Sequence, residues 1–347
     1  MNWTVRRYDL PLSTPFGIAR GTSATSETVV VELERGGATG VGGVAPSPYY
    51  DETAASVAES LPELLAVVAD LDDPHNGQRL DHRFHGEWPT QPAARAAVSI
   101  ALADLAAREL GTPLYRQLGL DPDAVPPTTY TVGIDSPDRM AEKARGAVEE
   151  GFSHLKIKLG TDDDRTRLEA VREAVPEADL RVDANAAWSP DEAVAALGWL
   201  EATDVSLLEQ PVGAGDHEGL RRVTEATPIP VCADESCVRP ADVPRIADAC
   251  DVVNAKLVKC GGVGPAIRLL HTADAHGLST MLGCMVASNA AIAGAAHLAP
   301  LVDYLDLDGA LLLEADPYDG VPLEGDVFDL RAVAAGTGVR RNPGFEE

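Results

Sequence analysis

Lysine is almost missing from this chain: there are five, Lys143, Lys156, Lys158, Lys256 and Lys259, among 347 residues. With 55 Asp and Glu against 28 Lys and Arg, the formal net charge is −27. A chain so short of positive charge repels nucleic-acid phosphates and anionic membrane surfaces, which argues against both as partners. The acids are spread through every predicted helix rather than gathered in a tail, so no acidic interaction arm is present. The pattern reads as a whole-surface, halophilic adaptation, in which counterions screen the self-repulsion. Aromatic residues are also few, at 5%. The five cysteines lack zinc-like spacing; Cys232 and Cys237, with four residues between them, have no His-rich partner segment. They read as free buried thiols in a reducing compartment. Met1–Leu10 is polar and charged rather than signal-like, and no run of about 18 apolar residues suggests a membrane span. The expectation is a soluble, cytoplasmic protein that acts on a small molecule, with a homo-oligomer left open.

What is there is a regular alternation. Hydrophobic residues make up 45% of the chain, enough for a sizeable core. Residues 1–120 read as an α+β cap: strand patterns at Trp3–Leu10 and Glu27–Glu34, a turn at Gly36-Gly37, a return strand at Thr39–Val44, then helices at Thr53–Leu71 and Gln91–Leu110. Residues 121–315 carry eight short apolar strands separated by helices. The strands are predicted over Thr129–Ile134, His154–Leu159, Leu180–Val182, Val205–Leu208, Val231–Ala233, Val252–Leu257, Ser279–Leu282 and Tyr304–Leu307. Helices are predicted over Ser136–Glu150, Asp163–Val175, Pro190–Ala202, His217–Ala226, Ala241–Ala249, Val263–His276 and Asn289–Ala299. Eight such units in succession favour a closed (β/α) barrel of the TIM type, and no G-x-G-x-x-G follows the first strand to suggest an open dinucleotide-binding sheet. Residues 316–347 are predicted to run back and complete the cap.

Catalytic groups of such a barrel sit where strands end. The second strand ends Lys156-Ile157-Lys158, the third Asp183-Ala184-Asn185, the fourth Glu209-Gln210-Pro211 and the fifth Asp234-Glu235-Ser236. The sixth contains Asn254-Ala255-Lys256, and the eighth ends Asp306-Leu307-Asp308. Residues i and i+2 share a strand face, so Lys156 with Lys158, Asp183 with Asn185, and Asp306 with Asp308 are expected to point inward. Lys259 has the wrong parity to join Lys256 and receives no catalytic role. Three acids on consecutive strands form a set of hard oxygen donors suited to Mg²⁺. The second and sixth strands lie opposite each other in an eight-stranded barrel, so Lys158 and Lys256 are expected to flank a substrate from two sides. A base must be neutral, and burial, the metal charge and the neighbouring Lys156 all favour the neutral amine of Lys158. One amine removes a proton next to a metal-bound carboxylate and the other returns it on the far face, the recipe for racemisation or epimerisation through a metal-stabilised enediolate. The Gly261-Gly262-Val263-Gly264 run is read as a βα turn.

These strand-end motifs, taken together, resemble the enolase superfamily, muconate lactonizing subgroup. The resemblance covers about residues 128–315, and the N-terminal region is similar to that family's capping domain. It implies Mg²⁺ on Asp183, Glu209 and Asp234, Lys158 and Lys256 as the acid/base pair with Lys156 beside them, and Asn185 and Glu235 as supporting groups. Asp306-Leu307-Asp308 resembles the D-x-D motif of dipeptide epimerases, which holds the substrate ammonium. The Gly283–Ser288 segment departs from the family pattern, which often has an acid where Ala287 sits. Pro15–Gly21 resembles the family's mobile specificity loop, where Arg20 is either a partner for an acidic substrate side chain or a solvated loop residue.

The resulting reading is a dipeptide epimerase, an isomerase, with Ala-Glu as a candidate substrate. Cycloisomerase, o-succinylbenzoate synthase and N-acylamino acid racemase are the alternatives within the subgroup; a non-catalytic ligand-binding barrel is the alternative from another class. Two acids on one face suit an ammonium and repel a dicarboxylate.

Overall fold

A computed structural model of the chain describes residues 1–345. The N-terminal sheet has three antiparallel strands in the order β1 (Asn2–Ile18), β2 (Gly21–Arg35) and β3 (Ala38–Val44). The central strand carries Val29, Val30, Val31 and Leu33, all fully buried, as a strand covered on both sides requires. Gly36 and Gly37, both at positive φ, turn β2 into β3. Helices α1 (Ala54–Leu71), α2 (Gly77–Glu87) and α3 (Pro92–Glu109) follow, then a single turn α4 (Leu114–Gln117). The α3 helix, rich in buried alanine, lies directly on β3. Gly40 and Gly42 permit this, since a Cβ at either would stand 2.3 Å from a backbone atom of Ala101.

The C-terminal part of the chain forms an eight-stranded parallel sheet in simple sequence order. Its strands are β4 (Tyr130–Val132), β5 (His154–Lys158), β6 (Asp179–Asp183), β7 (Val205–Glu209), β8 (Val231–Ala233), β9 (Val252–Ala255), β10 (Ser279–Gly283) and β11 (Tyr304–Asp306). The first and last strands join through a parallel bridge between Thr128 and Leu305, with the Thr129 amide donating to the Leu305 carbonyl at 3.2 Å. The chain therefore closes as a barrel, as its alternation of elements predicts.

The outer helices are α5 (Pro137–Glu149), α6 (Asp164–Ala174), α7 (Pro190–Ala202), α8 (His217–Glu225), α9 (Val243–Ile246), α10 (Leu257–Cys260), α11 (Val263–Ala275) and α12 (Asn289–Ala296). Ser136 and Ser189 cap α5 and α7 with their side chains, and Glu192 completes a capping box at Ser189.

The C-terminal segment returns to the cap onto two buried carboxylates. Glu32 accepts from the Tyr318 hydroxyl at 2.9 Å and from Arg341 at 2.9 and 2.8 Å. Asp104 accepts from the Thr337 amide at 2.6 Å and from the Val41 amide at 2.9 Å.

Three expectations need correction. Strand β1 continues to Ile18 and pairs Gly17 with Thr22 and Ile18 with Gly21, so Pro15–Gly21 is the end of a β-hairpin rather than a free loop. The helix expected over Ala241–Ala249 is a 3-10 turn (Pro240–Asp242) followed by the short α9, with Pro240 and Pro244 each in the first turn of its own segment. Strand β9 stops at Ala255 rather than Leu257, and α10 begins directly after Lys256.

Candidate active site

The strand ends meet beneath the N-terminal hairpin around a cavity of about 540 Å³. Strand register sets who faces whom: Lys158 pairs with Asp183 across β5 and β6, and Asp183 pairs with Glu209 across β6 and β7. Lys156, Lys158, Asn185, Asp234, Glu235, Lys256, Asp306, Asp308 and Arg20 all line the cavity. Asp183 and Glu209 lie just beneath, fully buried and bonded to the lining lysines. Every residue given a catalytic, metal-binding, substrate-binding or supporting role from the sequence is thus brought into one place.

The charges are interleaved. Lys158 donates to Asp183 at 2.5 Å. Lys156 sits 2.6 Å from Glu209, 2.8 Å from Asp306 and 3.2 Å from Asp183. Lys256 lies 2.7 Å from Asp234. Burial opposes the charged form of Lys156, but Asp306, Glu209 and Asp183 outweigh it and hold the amine well above its ordinary value. Lys256 is likewise raised, burial being overcome by Asp234. For Lys156 and Lys256, carboxylates at contact distance outweigh burial. The same pairing depresses Asp183 and Asp234, whose own burial pushes the other way. Glu209 is pushed up to about 7 by burial and by Asp183, even with Lys156 beside it, because that ammonium serves three carboxylates.

The two aspartates after β11 differ. Asp306 spends one oxygen on the Thr129 hydroxyl, at 2.5 Å, and the other on Lys156. Asp308 accepts from the Thr131 amide through Oδ2, at 2.5 Å. Burial and the adjacent Asp306 push the Asp308 carboxyl up to about 7.

Several groups that hold this site were not singled out by the sequence. Lys259 is buried and donates to both the carbonyl and a side-chain oxygen of Asp234. Strand parity misplaces it because the strand has already ended: Lys256 and Lys259 lie a helical turn apart around α10 and so reach the same carboxylate. Asn254 donates to Glu209 at 2.8 Å, and its position two residues before Lys256 on β9 is the signal that could have found it. Gln210, at positive φ, accepts from the amides of Asp234 and Ser236 at 2.9 and 3.0 Å and so fixes the turn that carries Asp234. Tyr50 lines the cavity from the cap. Ala287 is buried and faces a separate cavity of about 30 Å³.

The donor chemistry of Asp183, Glu209 and Asp234 fits a hard divalent cation. Beside them, Asn185 Oδ1 and Glu235 Oε2 are buried oxygens without a hydrogen-bond partner. As they stand, no group of three His, Cys, Asp or Glu side chains among the described residues is disposed to hold a metal ion. The reason is visible: each of the three carboxylates is turned onto an ammonium.

A closed barrel with opposed lysines and a ring of strand-end carboxylates, capped by an α+β unit, defines an enolase-type enzyme. Residues 2–119 match the mandelate racemase / muconate lactonizing enzyme N-terminal domain, and residues 139–340 match the enolase C-terminal domain-like family. The chain belongs to this family, the mandelate racemase and muconate lactonizing branch of the enolase superfamily. An L-Ala-D/L-amino acid epimerase of Maribacter sp. is 35% identical over 99% of this chain and 100% of its own length. The L-Ala-D/L-Glu epimerase of Escherichia coli K12 is 38% identical over 88% of this chain and 92% of its own. A crystal structure of the dipeptide epimerase of Enterococcus faecalis V583, complexed with Mg and L-Leu-L-Tyr, superposes with a TM-score of 0.92 at 36% identity, covering 97% of this chain and 98% of that one.

Proposed function

We propose that this protein is a Mg²⁺-dependent dipeptide epimerase that inverts the α-carbon of the C-terminal residue by a two-base exchange of its proton. The observation that carries the reading is the placement of Lys158 and Lys256 at the ends of opposite strands, β5 and β9, both lining one cavity and each in contact with a carboxylate. Asp183, Glu209 and Asp234 would hold the cation, which would supply positive charge to stabilise the carboxylate of the substrate as its α-proton leaves. The lysines would then exchange protons with the α-carbon from its two faces. Lys156, pinned by three carboxylates, keeps its charge and orders the floor of the site. Asn185 donates to Asp183 at 3.2 Å and keeps that carboxylate oriented.

Asp308 gives the reading its substrate class. It is a buried carboxyl group at the cavity wall that no ammonium or guanidinium of the protein contacts, a fitting receptor for the free ammonium of a dipeptide. An N-acylated amino acid offers no cation there, and a dicarboxylate is repelled. In the same reading, residues 1–120 and 316–345 form the cap and 121–315 the catalytic unit, residues 346 and 347 lying outside the described ones, and the enzyme works in the cytoplasm on a small molecule. No helix among the described residues is long and apolar enough to cross a membrane.

Incubating the protein with Mg²⁺ and a panel of free dipeptides in D₂O tests the proposal. Deuterium should enter the C-terminal α-position, and a chelator should abolish the exchange. Full exchange in metal-free buffer, or exchange confined to N-acylated amino acids, would contradict it.

A further inference from the structure

The tip of the N-terminal hairpin lies across the barrel mouth and touches it strand by strand. Gly17 accepts from the Ile134 amide at 2.8 Å, and a Cβ at Gly17 would stand 2.4 Å from the Ile134 carbonyl oxygen. Gly160, after β5, meets Ala19 so closely that a Cβ there would lie 2.8 Å from that of Ala19. Arg20 then reaches over the ends of β6 and β8. It donates to the Asn185 carbonyl at 2.6 Å and to Glu235 at 3.1 Å, and its guanidinium rests 4.5 Å from the centre of the Tyr49 ring. Glu235 is almost wholly buried and its other oxygen has no partner, so Arg20 is its counter-charge.

The remaining cations of the cavity wall are equally committed. Besides Arg20, its basic residues are Lys156, Lys158 and Lys256, each in contact with a carboxylate. The wall contributed by the hairpin and the facing loops carries Leu12, Phe16, Ile18, Pro48, Val286 and Leu312 as its apolar surface, and its neutral polar groups are the hydroxyls of Thr22, Ser23, Thr25, Ser26, Ser47 and Tyr50. Glu27 adds a further negative charge at the rim. An acidic side chain entering this wall would lose its hydration and meet no free cation, whereas an apolar one would gain by burial.

We propose that Arg20 is a positioning residue that latches the hairpin over the barrel mouth, and that the side-chain pocket takes dipeptides with an apolar rather than an acidic C-terminal residue. This rests on the epimerase reading and settles a question the sequence left open, since Arg20 there is also a candidate receptor for a substrate such as Ala-Glu.

The test compares kcat/KM for Ala-Leu and Ala-Glu, read as α-deuterium exchange on the Mg²⁺-loaded full chain, in the wild type, Arg20→Ala and Arg20→Lys. The wild type should favour Ala-Leu by about tenfold or more. Arg20→Ala should lower both substrates by a similar factor, about 10- to 100-fold, as expected for loss of a charge-assisted bond. Arg20→Lys, which keeps the charge, should restore part of that loss for both. In parallel, hydrogen exchange of the amides of residues 16–23 should quicken in Arg20→Ala without any substrate present. A wild type that prefers Ala-Glu, or an Arg20→Ala loss confined to Ala-Glu, overturns the inference. Turnover of neither dipeptide overturns the epimerase reading and the substrate preference with it; the hairpin exchange rates then decide the latch alone, and unchanged rates overturn it.

Discussion

At the scale of single residues, the site is a problem of sharing. Four lysines and Arg20 neutralise Asp183, Glu209, Asp234, Glu235 and Asp306, and Lys156 alone touches three of these carboxylates. Asp308 stands outside this set, held by Thr131, whose amide donates to it, rather than by an ammonium. The sequence pairs Asp306 and Asp308 as equals because they share a strand face; the structure separates them, since Thr129 and Lys156 already consume both oxygens of Asp306. Asp308→Asn should therefore weaken kcat/KM for a free dipeptide by about 10- to 100-fold, the loss expected for one charge-assisted hydrogen bond. It should matter far less for an N-acetylated dipeptide, already a poor substrate. Equal losses on the two substrates, measured side by side, would argue against an ammonium receptor at this position.

At the scale of elements, the barrel strands and most of the helices are legible from the sequence because apolar strands and amphipathic helices alternate with capped starts such as Ser136 and Ser189. Two of the elements that are not legible show why. The α2 helix has a mean composition so polar, with only Leu80 and Phe84 buried, that periodicity does not announce it. The α10 turn is shorter than any window in which a helical period can be read, and that turn is what brings Lys259 to Asp234.

Elements also carry the pH dependence. His297, at the end of α12, is buried, stacks on Tyr115 and accepts from the Tyr115 amide through Nδ1 at 3.1 Å, which ties α12 to α4. Burial lowers its pKa to about 4. The unfolded chain therefore takes up this proton first as pH falls. The stability that neutral His297 contributes is fully present above about 6.5 and is lost as pH drops toward 4, by about 3 kcal/mol at the limit. Replacing it with Asn, which keeps an acceptor but cannot titrate, should flatten the fall in unfolding free energy between pH 7 and pH 4.5. Denaturant unfolding of the two proteins at both pH values gives the comparison; identical slopes would contradict the assignment.

At the scale of the whole molecule, a charge of −27 on 347 residues is the dominant surface property, and the few lysines are withdrawn from that surface. Lys156, Lys158, Lys256 and Lys259 are all buried at the site, which leaves Lys143 as the single lysine outside it. The folded chain concentrates negative charge that the unfolded chain disperses, so screening by salt should favour folding. Its melting temperature should rise by at least several degrees from dilute buffer to molar KCl. No change over that range would remove the high-salt reading of the composition.

The central claim is that two lysines on opposite sides of one barrel serve the two faces of one α-carbon. Single Lys158→Ala and Lys256→Ala variants, each incubated with Mg²⁺ and the L,L and L,D forms of a turned-over dipeptide in D₂O, test it most directly. Neither variant should epimerise. Each should exchange the α-proton of only one diastereomer, and the two variants should choose opposite ones. Retained epimerisation in either variant, or exchange of the same diastereomer by both, would contradict the account.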